Sequence, residues 1–163
     1  DAKIAGLAYE RGVASIIVVN KWDAVEKDNA TVGKYVRKIK DHLKFMDYAP
    51  IIFVSALSGQ RVLKIFDLVD QVHAQYTKRI STAELNRVAR EFIDKNPPPR
   101  LQNRDNPFSY MTQASVKPPT FIFFVKEPKA IHFSYERYLV NQLRLSLGFE
   151  QSPVRVFFKR KSK

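Results

Sequence analysis

Cysteine is absent from this chain of 163 residues, which excludes disulfides and thiolate metal sites and is compatible with a cytoplasmic home. Histidine is scarce as well. His42, His73 and His132 lie far apart with no ligand spacing between them, so no metal site is expected of them. No apolar stretch approaches the roughly 20 residues that span a bilayer, and no charged-then-apolar leader opens the chain, so a soluble protein without a membrane partner is expected. Acidic residues are few: 16 Asp plus Glu stand against 28 Lys plus Arg, a net charge of +12. Up to Arg79 the count is 13 basic against 9 acidic, and beyond it 15 against 7, so the excess lies mainly in the second part. Such a field favours a polyanion, of which nucleic acid is the commonest for a soluble protein; the alternative is a charged surface that only solubilises.

What is present is led by Asn20-Lys21-Trp22-Asp23, at the mouth of the apolar run Ala14-Ser15-Ile16-Ile17-Val18-Val19. It matches the N-K-x-D sequence with which GTPases recognise guanine. Guanine offers two adjacent donors, the ring N1–H and the exocyclic amine, and a carboxylate such as Asp23 can accept both in a fork. Asn20 brings an amide donor for the base and an acceptor that can tie neighbouring loops together, while the aliphatic stem of Lys21 can lie against the purine. Adenine presents the opposite pattern and would leave the carboxylate unpaired, which makes the site selective. Trp22, at the variable position, is expected to pack rather than touch ligand.

Position strengthens the short match. A β-branched apolar run that empties into a polar loop reads as a buried parallel strand, and open α/β sheets bind ligands at the carboxyl ends of such strands. The arrangement repeats at Pro50-Ile51-Ile52-Phe53-Val54, which runs into Ser55-Ala56-Leu57-Ser58-Gly59. That loop is similar to the S-A-K/L loop whose backbone N–H groups meet the guanine carbonyl oxygen, so Ser55, Ala56 and Leu57 join Asn20, Lys21 and Asp23 as candidates. The competing reading is a pair of polar turns that merely cap the following helices. None of the five glycines belongs to a G-x-x-x-x-G-K-[ST] loop, and no D-x-x-G is present to hold magnesium. The chain therefore reads as the base-recognition half of a nucleotide domain, and by itself it is expected not to hydrolyse GTP.

The length suits one ordinary domain or two small ones. Hydrophobic periodicity places a helix around Ala2 to Glu10, and a second over about Thr31 to Leu43 with Val32, Tyr35, Val36, Ile39 and Leu43 on one stripe. A third carries Val62, Ile65, Phe66, Val69, Val72 and Tyr76. With the two strands this is α-β-α-β-α, an α/β unit over residues 1–79, although two strands do not complete such a sheet. In residues 80–163, Ser81-Thr82-Ala83-Glu84 is a capping box for a helix bearing Leu85, Val88, Ala89, Phe92 and Ile93, stopped by Asn96-Pro97-Pro98-Pro99. Strands follow at about Ser109 to Val116 and Thr120 to Lys126, then a helix capped by Ser134 and ended by Gly148, then a strand from Pro153 into Lys159-Arg160-Lys161-Ser162-Lys163. This is α-β-β-α-β, an α+β unit.

That order resembles a KH domain without the G-x-x-G loop that clamps a nucleic-acid backbone. The aromatic run Phe121 to Phe124 reads mainly as core. The Lys159, Arg160, Lys161, Lys163 tail reads either as a phosphate-contacting segment or as a solvated terminus. Taken together, the N-K-W-D and S-A-L loops, the S-T-A-E-L-N-R helix, the N-P-P-P stop, the V-K-P-P-T-F-I-F-F-V pair and the P-V-R-V-F-F-K-R-K ending resemble the C-terminal part of the EngA (Der) family of bacterial GTPases. The resemblance covers essentially the whole chain. It implies the tail of a second, Ras-like P-loop GTPase domain followed by a KH-like domain, binding GTP or GDP, with magnesium held elsewhere in the parent. It also implies a role in assembly of the large ribosomal subunit, with ribosomal RNA and the parent's other GTPase domain as partners. The alternative from the residues is a nucleotide-independent RNA-binding or protein-interaction module.

Overall fold

The structure, a computed structural model, describes residues 1–26, 28 and 30–161. The first unit runs α1 (Ala2–Glu10), β1 (Ile17–Val19), α2 (Thr31–His42), β2 (Ile51–Phe53) and α3 (Lys64–Tyr76). β1 and β2 pair in parallel with Ile17 opposite Ile51 and Val19 opposite Phe53. The α-β-α-β-α order expected from periodicity is observed. The strands are shorter than the apolar runs that announce them, because only three residues of each find a partner strand among the described residues.

Burial in this unit is uneven. Trp22, Met46, Tyr48, Ile52, Phe53 and Val72 are buried, whereas Ile4, Leu7, Phe66 and Val69 are 71%, 55%, 64% and 46% exposed. Two paired strands of three residues offer too small an apolar face to cover three helices, so part of each predicted stripe stays in solvent. The edge of β1 away from β2 has no neighbouring strand among the described residues.

The second unit closes properly. Its order is α4 (Thr82–Lys95), β3 (Phe108–Ser115), β4 (Thr120–Val125), α5 (Phe133–Leu147) and β5 (Arg155–Arg160). β4 is the central strand, antiparallel to β3 and parallel to β5. Ser81 caps α4 as its sequence indicates, its hydroxyl accepting the Glu84 N–H at 3.2 Å. Leu85, Val88, Ala89, Phe92 and Ile93 of α4 are buried against Met111, Phe121 and Phe123 of the sheet and Leu139 and Leu143 of α5. One expectation is corrected: α5 is capped by His132, not Ser134, because the Tyr135 and Glu136 N–H groups already donate to the His132 carbonyl. At the other end Gly148 takes the left-handed conformation, φ 73°, and the Phe149 N–H returns to Arg144 O.

A polar seam joins the units. The Lys117 N–H donates to Tyr76 O at 3.1 Å and the Arg155 guanidinium to Glu10 O at 2.7 Å, while within the first unit the Tyr76 hydroxyl donates to Gly12 O at 3.0 Å. Gln75 and Gln151 exchange two hydrogen bonds, and Lys78 Nζ donates to Leu147 O at 2.7 Å. The Arg144 guanidinium lies 4.5 Å over the Tyr48 ring. Burial there pushes the Tyr48 phenol up to about 12, against a smaller opposing pull from Arg144. The connecting segment is held by the buried Gln113, whose side chain accepts the Ile80 N–H and donates to Lys78 O, each at 2.8 Å.

Gly12 is the tightest point of the seam. Its φ is +66°, and a β-carbon there would stand 2.8 Å from Pro118 Cγ and 3.1 Å from Arg155 Nη2. Gly12→Ala is expected to cost about 1–3 kcal/mol by overpacking and backbone strain. Hydrogen exchange at the Lys117 amide, whose acceptor lies in the other unit, checks this: exchange accelerates if the seam is pried open, and stays as in the parent chain if it is not.

Candidate functional site

The two polar loops predicted to act together leave the carboxyl ends of β1 and β2 and meet. The Val54 N–H donates to Val19 O at 2.9 Å, and the Trp22 N–H, beyond the end of β1, donates to Val54 O at 3.0 Å. Parallel pairing therefore continues past the strands and carries the loops side by side. Between them, the Ala56 N–H donates to the Asn20 side-chain oxygen at 3.0 Å across 36 residues of sequence. This is the loop tie that an amide at position 20 can supply and an apolar side chain cannot.

Trp22 fixes the first loop. It is 2% exposed, with its ring 4.4 Å from Phe53 and 5.3 Å, edge on, from Tyr35 of α2. Burying Trp22 while Lys21 and Asp23 stay exposed requires a sharp reversal of the chain. Lys21 provides it with φ 58° and ψ 36°, a left-handed conformation unfavourable for a residue with a β-carbon, followed by a 3₁₀ turn over Trp22–Ala24. The sequence marks Trp22 as a packing residue, but nothing in it signals the backbone strain at Lys21 or the part played by Tyr35.

The second loop is fixed by Ser55, which is fully buried. Its N–H donates to Gln60 O at 3.1 Å and its hydroxyl accepts the Ser58 N–H at 3.1 Å, closing the turn over Ala56 and Leu57. Ala56 is exposed and Leu57 is 90% exposed. The outcome is one rim on which Asn20, Lys21, Asp23, Ala56 and Leu57 face solvent, with Trp22 and Ser55 as its two anchors beneath. Further along the chain, the Asp28 carboxylate accepts from the Thr31 hydroxyl and the Ala30 N–H, each at 2.8 Å, which lowers its pKa at the start of α2.

The basic candidates lie in the other unit. Lys159 and Arg160 end β5 and Lys161 follows, all exposed; Lys163 lies outside the described residues. Arg160 is already engaged, donating to Glu127 at 2.7 Å and to Lys126 O at 3.1 Å. Among the described residues no group of three His, Asp or Glu side chains could hold a metal ion, and no helix is long and apolar enough to cross a membrane. A hollow of about 590 Å³ lies by Pro97 and Pro98, lined by Arg90, Asp94, Arg100 and Asp105; its charges are of both signs and favour no ligand class.

Comparison with known proteins adds two family matches. Residues 2–75 match the elongation factor Tu GTP binding domain, and residues 79–159 match the KH-domain-like C-terminal region of EngA bacterial GTPase enzymes. The chain is similar to proteins named GTPase Der: 51% identical over 161 residues to that of Desulfitobacterium hafniense (strain DSM 10664 / DCB-2), and 48% over 159 residues to that of Geobacter metallireducens. A third, from Moorella thermoacetica, is 48% identical over 160 residues. These alignments take in 98–99% of this chain but only 36% of each relative's length.

The Asn20 tie and the Trp22 anchor make separable contributions. Asn20→Ala removes one hydrogen bond between exposed loops and is expected to cost about 1 kcal/mol. Trp22→Ala empties a buried aromatic site and is expected to cost about 3–5 kcal/mol. Urea denaturation of both variants checks the ranking, and equal losses would contradict the anchoring role given to Trp22.

Proposed function

Because the chain belongs to the EngA (Der) family of bacterial GTPases, in which it corresponds to the end of a GTPase domain plus the KH-like domain, we propose that its first unit recognises the guanine base of GTP or GDP. The observation that carries the reading is the Ala56 N–H to Asn20 bond, which sets the two loops on one rim. In this reading the Asp23 carboxylate accepts from guanine N1–H and the exocyclic amine, and the Asn20 amide donates to the base. The stem of Lys21 lies along the purine, and the Leu57 backbone N–H faces the guanine carbonyl, since the N–H groups of Ser55 and Ala56 already donate to Gln60 O and the Asn20 side chain. Trp22 and Ser55 hold this arrangement before ligand arrives, which lowers the ordering cost of binding.

Hydrolysis, phosphate contacts and magnesium belong, in this proposal, to a phosphate-binding half lying outside this sequence. Among the described residues no group of three His, Asp or Glu side chains could hold that ion. The open edge of β1 and the exposed apolar residues of α1 and α3 suit the packing of further strands and helices of such a half.

For the parent protein the reading is a GTP-dependent factor acting in assembly of the large ribosomal subunit. Ribosomal RNA and the parent's other GTPase domain are its proposed partners, and Lys159, Arg160, Lys161 and Lys163 its proposed phosphate contacts. The net charge of +12, concentrated in the second unit, supports the nucleic-acid part.

Guanine recognition is tested in a full-length EngA protein carrying this segment. Asp23→Asn replaces an acceptor with a donor opposite two donors, so GTP affinity is expected to fall by about 100-fold or more. Affinity for xanthosine triphosphate, which presents an acceptor there, should rise in the same variant. Unchanged GTP affinity would remove Asp23 from the site.

A further inference from the structure

The three-stranded sheet of the second unit is covered by helices on one face only. Met111, Phe121, Phe123, Val125 and Val156 point into the core, all 8% exposed or less. By strand alternation the other face carries Tyr110 and Thr112 of β3, Ile122 and Phe124 of β4, and Phe157 and Lys159 of β5. Register sorts them into two rows across the sheet: Tyr110, Phe124, Lys159 and, beside it, Thr112, Ile122, Phe157. The Tyr110 and Phe124 rings are stacked, 4.4 Å apart with 14° between their planes. Phe157 is 52% exposed.

An open aromatic face needs an occupant, and charge selects among the candidates. The strands Phe108–Ser115, Thr120–Val125 and Arg155–Arg160 contain no Asp or Glu, whereas β5, at the edge of the sheet, carries Arg155, Lys159 and Arg160, with Lys161 next. Arg155 is turned to the Glu10 carbonyl and Arg160 to Glu127, which leaves Lys159 and Lys161 beside the aromatic rows. Flat rings flanked by cations and free of carboxylates suit a chain that offers both π-faces and phosphates. Single-stranded nucleic acid does so; a duplex hides its base faces. The chain has no G-x-x-G loop to clamp a backbone, so base contacts must come from elsewhere in the unit.

We propose that this open sheet face is a stacking platform for single-stranded RNA, with Phe157 and the Tyr110–Phe124 pair receiving bases while Lys159 and Lys161 contact the phosphates. The proposal rests on the nucleic-acid part of the function above and deepens it. It moves the main contact from the basic tail to the sheet.

The test uses the 163-residue chain and fluorescein-labelled oligouridylate and oligoadenylate of twelve nucleotides, followed by anisotropy over a range of salt. Phe157→Leu keeps an apolar side chain at a half-exposed position and removes only the ring. It is expected to weaken binding about tenfold at fixed salt. The slope of affinity against salt should not change in that variant, since no charge is lost, whereas trimming residues 159–163 should flatten it. Phe157→Trp is expected to bind as the parent chain does, with its indole emission quenched by RNA relative to the Trp22 background. Circular dichroism confirms that each variant is folded. Unchanged affinity in Phe157→Leu, or unchanged emission of Phe157→Trp at saturation, overturns the platform while leaving the nucleic-acid reading in place; the former is also the result if a protein occupies this face. No RNA binding by the parent chain at any salt overturns both.

Discussion

The candidate site depends on the parallel pairing of β1 with β2, extended beyond the strands themselves. Three backbone or side-chain bonds continue it: Val54 to Val19, Trp22 to Val54, and Ala56 to the Asn20 side chain. Each brings residues more than thirty positions apart to one rim, and without them the two loops would be independent turns. Trp22 completes the constraint by filling the space over Phe53, which forces Lys21 into the left-handed region and leaves Asp23 on the solvent side. A rigid rim is what discrimination between purines needs, because an unpaired acceptor penalises the wrong base only when it cannot move to find another donor.

The two units differ in how completely they satisfy their own hydrophobic patterning. In the second, helix stripes and strand alternation meet on one core, and the face left open is aromatic and basic. In the first, residues such as Phe66 and Val69 sit on a correctly spaced stripe yet remain in solvent. The seam between the units is polar, built of hydrogen bonds, several of them to backbone carbonyls, and the cation–π contacts of Lys78 with Phe149 and Arg144 with Tyr48, which is the chemistry of a joint rather than of a shared core.

Much of this was legible beforehand, for reasons that can be stated residue by residue. Periodicity located all five helices, and the Ser81 cap and Gly148 stop fell where capping chemistry puts them. Ser134 misled because a hydroxyl two residues inside a helix looks like a cap when the backbone acceptor, His132 O, cannot be seen. Strand lengths in the first unit were overestimated because an apolar run reports burial, not partners. The rim residues were readable as a motif; Lys21's strain, the support from Tyr35 and the pairing of Tyr110 with Phe124 were not, since each arises from contacts between distant segments.

The central claim is that the loop at 20–23 and the loop at 55–57 form one guanine-reading rim. The most direct measurement is a structure of a full-length EngA protein carrying this segment with GDP bound. The account predicts both oxygens of Asp23 at about 2.7–3.2 Å from guanine N1 and the exocyclic amine, with the Asn20–Ala56 bond intact. A base bound away from Asp23, or loops that separate when nucleotide binds, would contradict it.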